Sequence, residues 1–232
     1  MDNKDKIILD LCGGSGAWSR PYREAGYTVY NITLPAYDVI SAEAMLFEEN
    51  VCIYFISKNN KCASDIIVRT DEVHGILCAP PCTEFSVAKG GRLRDLGGAM
   101  VTVSACMQII WECRANGNLK FWALENPVGL LRQFLGIPRF TFEQWQYGGD
   151  KVKRTDLWGY FNEPIKTVHQ RPDLYMHRNP GGSSNCCNWG KLECPSEHED
   201  YIKSMGGYVA QRAAARAITP AGFARAFFRT NQ

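Results

Sequence analysis

Cys82 follows Pro80-Pro81 at the end of the apolar run Gly75-Ile-Leu-Cys-Ala79. The run reads as a buried strand, and the two prolines fix the backbone directly after it. A thiol there sits at the carboxyl end of a strand, where open α/β sheets bind ligands. Its chemistry is nucleophilic attack once deprotonated; a free cysteine titrates near ~8.5 and only the thiolate attacks. Taken alone, Cys82 reads first as a core thiol, because cysteine is among the most buried residue types.

Three other segments carry chemistry. Asp10-Leu-Cys-Gly-Gly-Ser-Gly16 closes a strand and opens a helix. Glycines there let backbone approach a ligand, and a helix start offers free N–H groups. The G-x-G-x-x-G spacing and the P-loop lysine are both absent. A methyl-donor site or a purely structural turn remains, with Asp10 as a possible cap of the loop N–H groups. Glu125-Asn126-Pro127 puts a carboxylate at the end of the apolar run 119–124, where an acid could also simply be solvated. Lys153-Arg154-Thr155 follows Tyr147-Gly148 and supplies a basic pair that serves equally as a substrate anchor or a surface face. Lys89, Arg92 and Arg94 lie among glycines and read as a mobile basic loop.

These residues need elements to hold them. Residues 7–12, 27–34, 75–79 and 119–124 read as strands, with helices over 18–25, 97–116 and a short one ending at 135. Met100, Val103, Met107, Ile110 and Trp111 recur at helical spacing and mark the core-facing side of the long helix. Residues 51–57 and 65–69 read as strands about the turn Lys58-Asn-Asn-Lys61, and 141–147 and 157–161 as late strands. Strands alternating with helices predict an α/β domain over residues 1–161 with a doubly wound, mainly parallel sheet. Residues 162–207, carrying Pro164, Pro172, Pro180, Gly181, Gly182 and Pro195, read as a small irregular insert. Residues 208–232 read as a C-terminal helix returning to the domain, with Thr219 as N-cap, Pro220 at the first position, and Phe223, Phe227 and Phe228 on its buried face.

Composition sets outer limits. With 232 residues, 45% of them apolar, the chain can bury a sizeable core. A net charge of +2 excludes a strongly basic nucleic-acid coat protein, so any nucleic-acid contact must come from local patches. No run of about 18 apolar residues predicts a membrane span. The charged start Met1 to Lys6 leads straight into a strand and offers no signal peptide. Ten cysteines without a framework suit reduced thiols and a cytoplasmic setting.

The order of the four segments resembles the cytosine-5 DNA methyltransferase family. Pro80-Pro81-Cys82-Thr-Glu-Phe-Ser86 is similar to its P-C-Q-x-F-S loop, Glu125-Asn126-Pro127 to its E-N-V element, and Tyr147 to Thr155 to the segment ending in Q-x-R-x-R. The likeness spans residues 7–158, with Thr219-Pro220 a looser match. It implies a Rossmann-like fold that uses S-adenosyl-L-methionine to methylate carbon 5 of a cytosine flipped out of duplex DNA. It implies Cys82 as nucleophile at carbon 6, Glu125 at ring N3, and Lys153 and Arg154 as anchors. Ser86, Asn126 and Thr155 would contact substrate. The donor would meet Asp10, Cys12, Gly14, Ser15, Gly16, Thr33, Leu34, Asp38, Val39 and Pro81.

The sequence also departs from that pattern. Residues 30–34 hold no acid for the donor ribose, and Thr33 or Asn31 stands there. Thr83 replaces the usual glutamine, one arginine is missing from the late basic motif, and the G-N-S-V signature is absent. The insert is short for a target reader and predicts a short or relaxed target sequence, since each base read needs a positioned side chain. Within it, Cys186, Cys187, Cys194 and His198 form a zinc alternative of irregular spacing; no metal is otherwise expected. Arg212 with Arg216, and Arg225 with Arg229, are spaced to meet phosphates. Cytosine in tRNA, a pyrimidine nucleotide, or nucleic-acid binding without turnover are the alternatives. The small size suits a phage or bacterial origin.

Overall fold

The structure is a computed structural model that describes residues 2–58, 64–149, 152–171 and 198–232. Its centre is a six-stranded, mostly parallel sheet. In chain order the elements that form it are β1 (Ile7–Leu11), α1 (Arg20–Glu24), β2 (Thr28–Ile32), β6 (Val73–Cys78), α2 (Leu96–Asn116), β7 (Phe121–Pro127), α3 (Arg132–Leu135), β8 (Phe140–Glu143) and β9 (Arg154–Tyr160). The strand order is β2-β1-β6-β7-β9-β8. β2, β1, β6 and β7 run parallel, whereas β9 runs antiparallel to both β7 and β8.

Alternation along the strands feeds two cores. Ile8, Leu77, Ala123 and Leu157 face a cluster with Trp18, Tyr22, Phe223 and Phe227. Leu9, Leu11, Ile76, Cys78 and Leu124 face the other, which α2 covers with Val103, Cys106, Ile109, Ile110 and Cys113. Helices therefore lie on both faces, as a doubly wound mixed α/β sheet requires.

α2 buries Val103 and Ile110 of the expected face, but the face is not centred where the sequence puts it. Trp111 is 64% exposed, and Met100 and Met107 only flank the core. The small buried cysteines Cys106 and Cys113 do not stand out in a search for bulky residues, although they mark the true face. α2 is also long and apolar enough to cross a membrane by length and composition, yet this face packs on the sheet.

A second, three-stranded antiparallel sheet joins β3 (Glu43–Phe47), β4 (Asn50–Phe55) and β5 (Ile66–Arg69). The strands expected at 51–57 and 65–69 therefore form outside the parallel sheet, because a short turn can join only antiparallel neighbours. β3 itself was not foreseen; all five of its residues are exposed. The expected strand 141–147 stops at Glu143 and continues as a 3₁₀ turn, Gln144–Tyr147.

The chain end holds three helices rather than one: α4 (Glu199–Ser204), α5 (Gly207–Ala217) and α6 (Ala221–Thr230). α4 lies within the stretch read as irregular. α6 begins after Pro220, and Thr219 supplies no side-chain cap. Phe223 and Phe227 are fully buried, with Phe223 stacked on Phe142 at 4.1 Å. No disulfide joins the six described cysteines.

Candidate active site

Register alone aligns the motifs. Leu11, Cys78 and Leu124 form one row across β1, β6 and β7. The next residues along the chain are Cys12 and Ala79, just past β1 and β6, and Glu125 within β7, all at the carboxyl edge. β1 connects onward to β2 on one side while β6 lies on its other side, so the gap between β1 and β6 is a topological switch point. The glycine turn and the prolyl-cysteine turn border that gap.

The reversal of β9 completes the edge. Because β9 is antiparallel to β7, Pro127 pairs with Thr155 and Asn126 with Asp156. Lys153 and Arg154 thus arrive where β7 ends. A parallel β9 of seven residues would carry them about 20 Å away.

Cys82 is half-buried in the turn that follows. Burial pushes its thiol up most; Lys153 pulls it down, Glu125 pushes it up, and a backbone hydrogen bond and then Arg216 pull it down by less. Lys153 Nζ lies 4.0 Å from Glu125 Oε1 and donates to the Arg216 carbonyl at 3.4 Å. The Glu125 and Lys153 side chains are 20% and 27% exposed. Burial raises the Glu125 carboxyl above the usual range, with Lys153 opposing and Asp156 adding to the rise. A half-buried thiol, an acid disposed to hold a proton and two cations therefore share one rim.

Backbone and amide bonds hold this rim. Asn126 Nδ2 donates to the Pro80 carbonyl at 3.0 Å, tying the acid's strand to the prolyl turn. Ser86 bridges Gly129, Leu130 N–H donates to Phe85 O, and Val128 N–H donates to Arg154 O. Asn126 Oδ1 and Thr155 Oγ1 are buried without a hydrogen-bond partner among the described residues. Arg154 is exposed. The Ser86 hydroxyl accepts from Ala88 N–H and caps a 3₁₀ turn.

The loop beyond Ser86 is organised rather than loose. Lys89 is ion-paired with Glu84, which also accepts from Asp95 N–H. Arg94 donates to the carbonyls of Glu84, Ser86 and Gly90. Lys89 and Arg94 thus serve the loop itself, against the reading of a mobile basic loop.

The glycine turn is held from β2. Gly14 N–H donates to Thr33 Oγ1 at 3.3 Å, and Asn31 Nδ2 donates to Gly14 O at 3.0 Å. Gly14 and Gly16 have φ of +56° and +69°, which favour glycine. Cys12 lies in the same region at +57° and packs against the α2 core. Ser15 is half-buried on the turn.

Several expected donor contacts are placed otherwise. Asp10 is wholly buried beneath the turn, bonded to the Ser19 hydroxyl. Val39 is a core residue. Asp38 caps a 3₁₀ turn and pairs with Lys58 at 2.5 Å, which holds its carboxyl below the usual range. Leu34 and Pro81, by contrast, are exposed and open to a ligand. Of the zinc alternative, Cys186, Cys187 and Cys194 lie outside the described residues, and His198 is buried just before α4.

Asp10 carries a measurable consequence. Burial raises its pKa to about 6. The folded chain then holds a proton that the unfolded chain has lost between about pH 4 and 6. This contribution is intact below that window and is lost as pH rises through it, by about 3 kcal/mol. Asp10→Asn should flatten this part of the stability–pH curve, and a thermal-melt series from pH 4 to 8 that superimposes on wild type would refute it.

Sequence reading missed two participants at this edge. Tyr201 lies against Gly14, and Asp156 anchors β9 to α3 through Arg132. Neither had a local signal, since each acts through a contact distant in sequence. Neither a protein-family model nor a curated protein matches this sequence.

Proposed function

We propose that the protein is an S-adenosyl-L-methionine-dependent methyltransferase acting on carbon 5 of cytosine in DNA. The observation that carries the reading is the shared rim of Cys82, Glu125, Lys153 and Arg216 beside a glycine turn at the switch point. The turn's place suits the donor: Gly14 and Gly16 hold a left-handed backbone at the switch point, and Thr33 retains a hydroxyl proton to donate. Bound there, the donor supplies an electrophilic methyl group.

The residues divide the remaining work. Cytosine C5 is a poor nucleophile until C6 is attacked. Cys82 as thiolate bonds to C6, while Glu125 in its protonated form hydrogen-bonds N3 and takes up the developing charge. C5 then accepts the methyl group and loses its proton to solvent, and the Cys82–C6 bond breaks. Lys153 and Arg216 favour the thiolate by charge. When Glu125 meets N3 as the neutral acid, its repulsion of the thiolate disappears, so substrate binding itself activates Cys82. A base within a duplex must be flipped to reach this rim.

DNA bearing 5-fluorocytosine tests the reading, because fluorine at C5 blocks proton loss and traps the adduct. Wild type with donor should form a denaturant-resistant protein–DNA species, and Cys82→Ser should form none. An adduct persisting in Cys82→Ser would refute the nucleophile. Duplex DNA, single strands and tRNA compared as acceptors would identify the substrate. A second reading, nucleic-acid binding without turnover, draws on the absence of an acid at the end of β2 and the Asp38–Lys58 pair. Absence of donor binding by calorimetry would favour it.

A further inference from the structure

The outer surface of the glycine turn is covered by a residue from the far end of the chain. A Cβ built on Gly14 would stand 2.7 Å from Tyr201 Oη, so the phenol lies directly over that glycine's backbone. Gly14 has already committed its N–H to Thr33 and its carbonyl to Asn31. The Tyr201 hydroxyl has no hydrogen-bond partner among the described residues, although the side chain is half-buried. The phenol oxygen is not fully enclosed, so it is open to a hydrogen-bond partner from a ligand.

The element that carries Tyr201 is seated. Ile202 is buried, and α4 packs against α5. α5 ends at the nucleophile rim, where the Arg216 carbonyl accepts from Lys153. One helical arm thus touches the glycine turn at its start and the Cys82 rim at its end. Burial also raises the Tyr201 phenol, which keeps its proton at neutral pH and makes it a hydrogen-bond donor.

We propose that Tyr201 is a donor-site residue whose phenol O–H hydrogen-bonds an oxygen of the S-adenosyl compound held on the Gly13–Gly16 turn. The assignment rests on the methyltransferase reading above. It would supply part of the polar contact that an acid at the end of β2 does not.

Calorimetry of S-adenosylmethionine and S-adenosylhomocysteine with the full chain tests it. Tyr201→Phe keeps the ring and removes the hydroxyl, and should weaken both ligands by roughly five- to twentyfold. The KM for donor should rise by a similar factor, with kcat at saturating donor within about twofold, a split that a merely structural role would not produce. Tyr208→Phe, at an exposed position of α5, should match wild type. If wild type binds neither ligand, the methyltransferase reading and this assignment fall together. If wild type binds and Tyr201→Phe binds equally or more tightly, the assignment alone is overturned.

Discussion

Glu125→Gln should make Cys82 react faster with iodoacetamide at neutral pH while, under the proposed function, stopping methyl transfer. The two effects have one cause. Glu125 is a negative neighbour that holds the Cys82 thiol up, so a neutral amide lowers its pKa and enlarges the thiolate fraction. The same amide cannot offer N3 an acidic proton. The gain in alkylation should be on the order of three- to tenfold, the effect of up to about one pKa unit. Lys153→Met removes a lowering charge and should slow alkylation by a similar factor. Peptide mapping by mass spectrometry isolates Cys82 from the other thiols, of which Cys52, Cys78, Cys106 and Cys113 are buried. An unchanged or slower rate in Glu125→Gln would break the electrostatic link between the two residues.

Asp156→Ala should be the most destabilising of the substitutions considered near the rim. Asp156 is fully buried. It accepts from Arg132 Nε at 2.7 Å, Arg132 Nη2 at 2.6 Å and Thr141 Oγ1 at 2.7 Å. Removing one member of a buried pair typically costs 3–5 kcal/mol, roughly, because the partner charge is left uncompensated. Arg132 retains some solvent access, with 37% of its side chain exposed, which places the cost at the lower end, about 3 kcal/mol. For a chain of this size the midpoint should fall by roughly 6–12 °C. Asp156→Asn should fall less, since the amide oxygen still accepts. Because Asp156 also raises Glu125, the Asn variant should make Glu125 more acidic and shift the alkaline limit of activity downward. A melting point within 2 °C of wild type for Asp156→Ala would refute the anchoring role.

Parts of this arrangement were legible because local chemistry dictates them. Two prolines after a strand fix a turn, a run of glycines fixes another, and apolar alternation gives β1, β6 and β7. Once those strands are parallel, their register brings Cys12, Ala79 and Glu125 to one edge without further information. The arrival of Lys153 was not legible, because it depends on β9 reversing, and strand direction is a long-range property. Asp38 and Val39 misled because sequence distance from β2 does not reveal that Lys58 pairs with one and the core takes the other. β3 escaped notice for a related reason. Its exposed Met45, Leu46 and Phe47 do not alternate, so only pairing with β4 makes it a strand.

The bonds between the Cys82 turn and the end of β7 have a different consequence. Ser86 with Gly129, Leu130 N–H with Phe85 O, and Val128 N–H with Arg154 O are main-chain contacts. Alanine scanning leaves such bonds in place at every seam position but Gly129, so it would score the rest of the seam as silent however much activity depends on it. Gly129 is where the seam becomes visible to genetics. A Cβ there would stand 2.3 Å from Phe85 O, so any side chain must pry the two loops apart. The mutational map of this protein should therefore have a hidden frame. It tolerates substitution at residues whose side chains point away, and yields only to changes, such as Gly129→Val, that rewrite the path of the backbone.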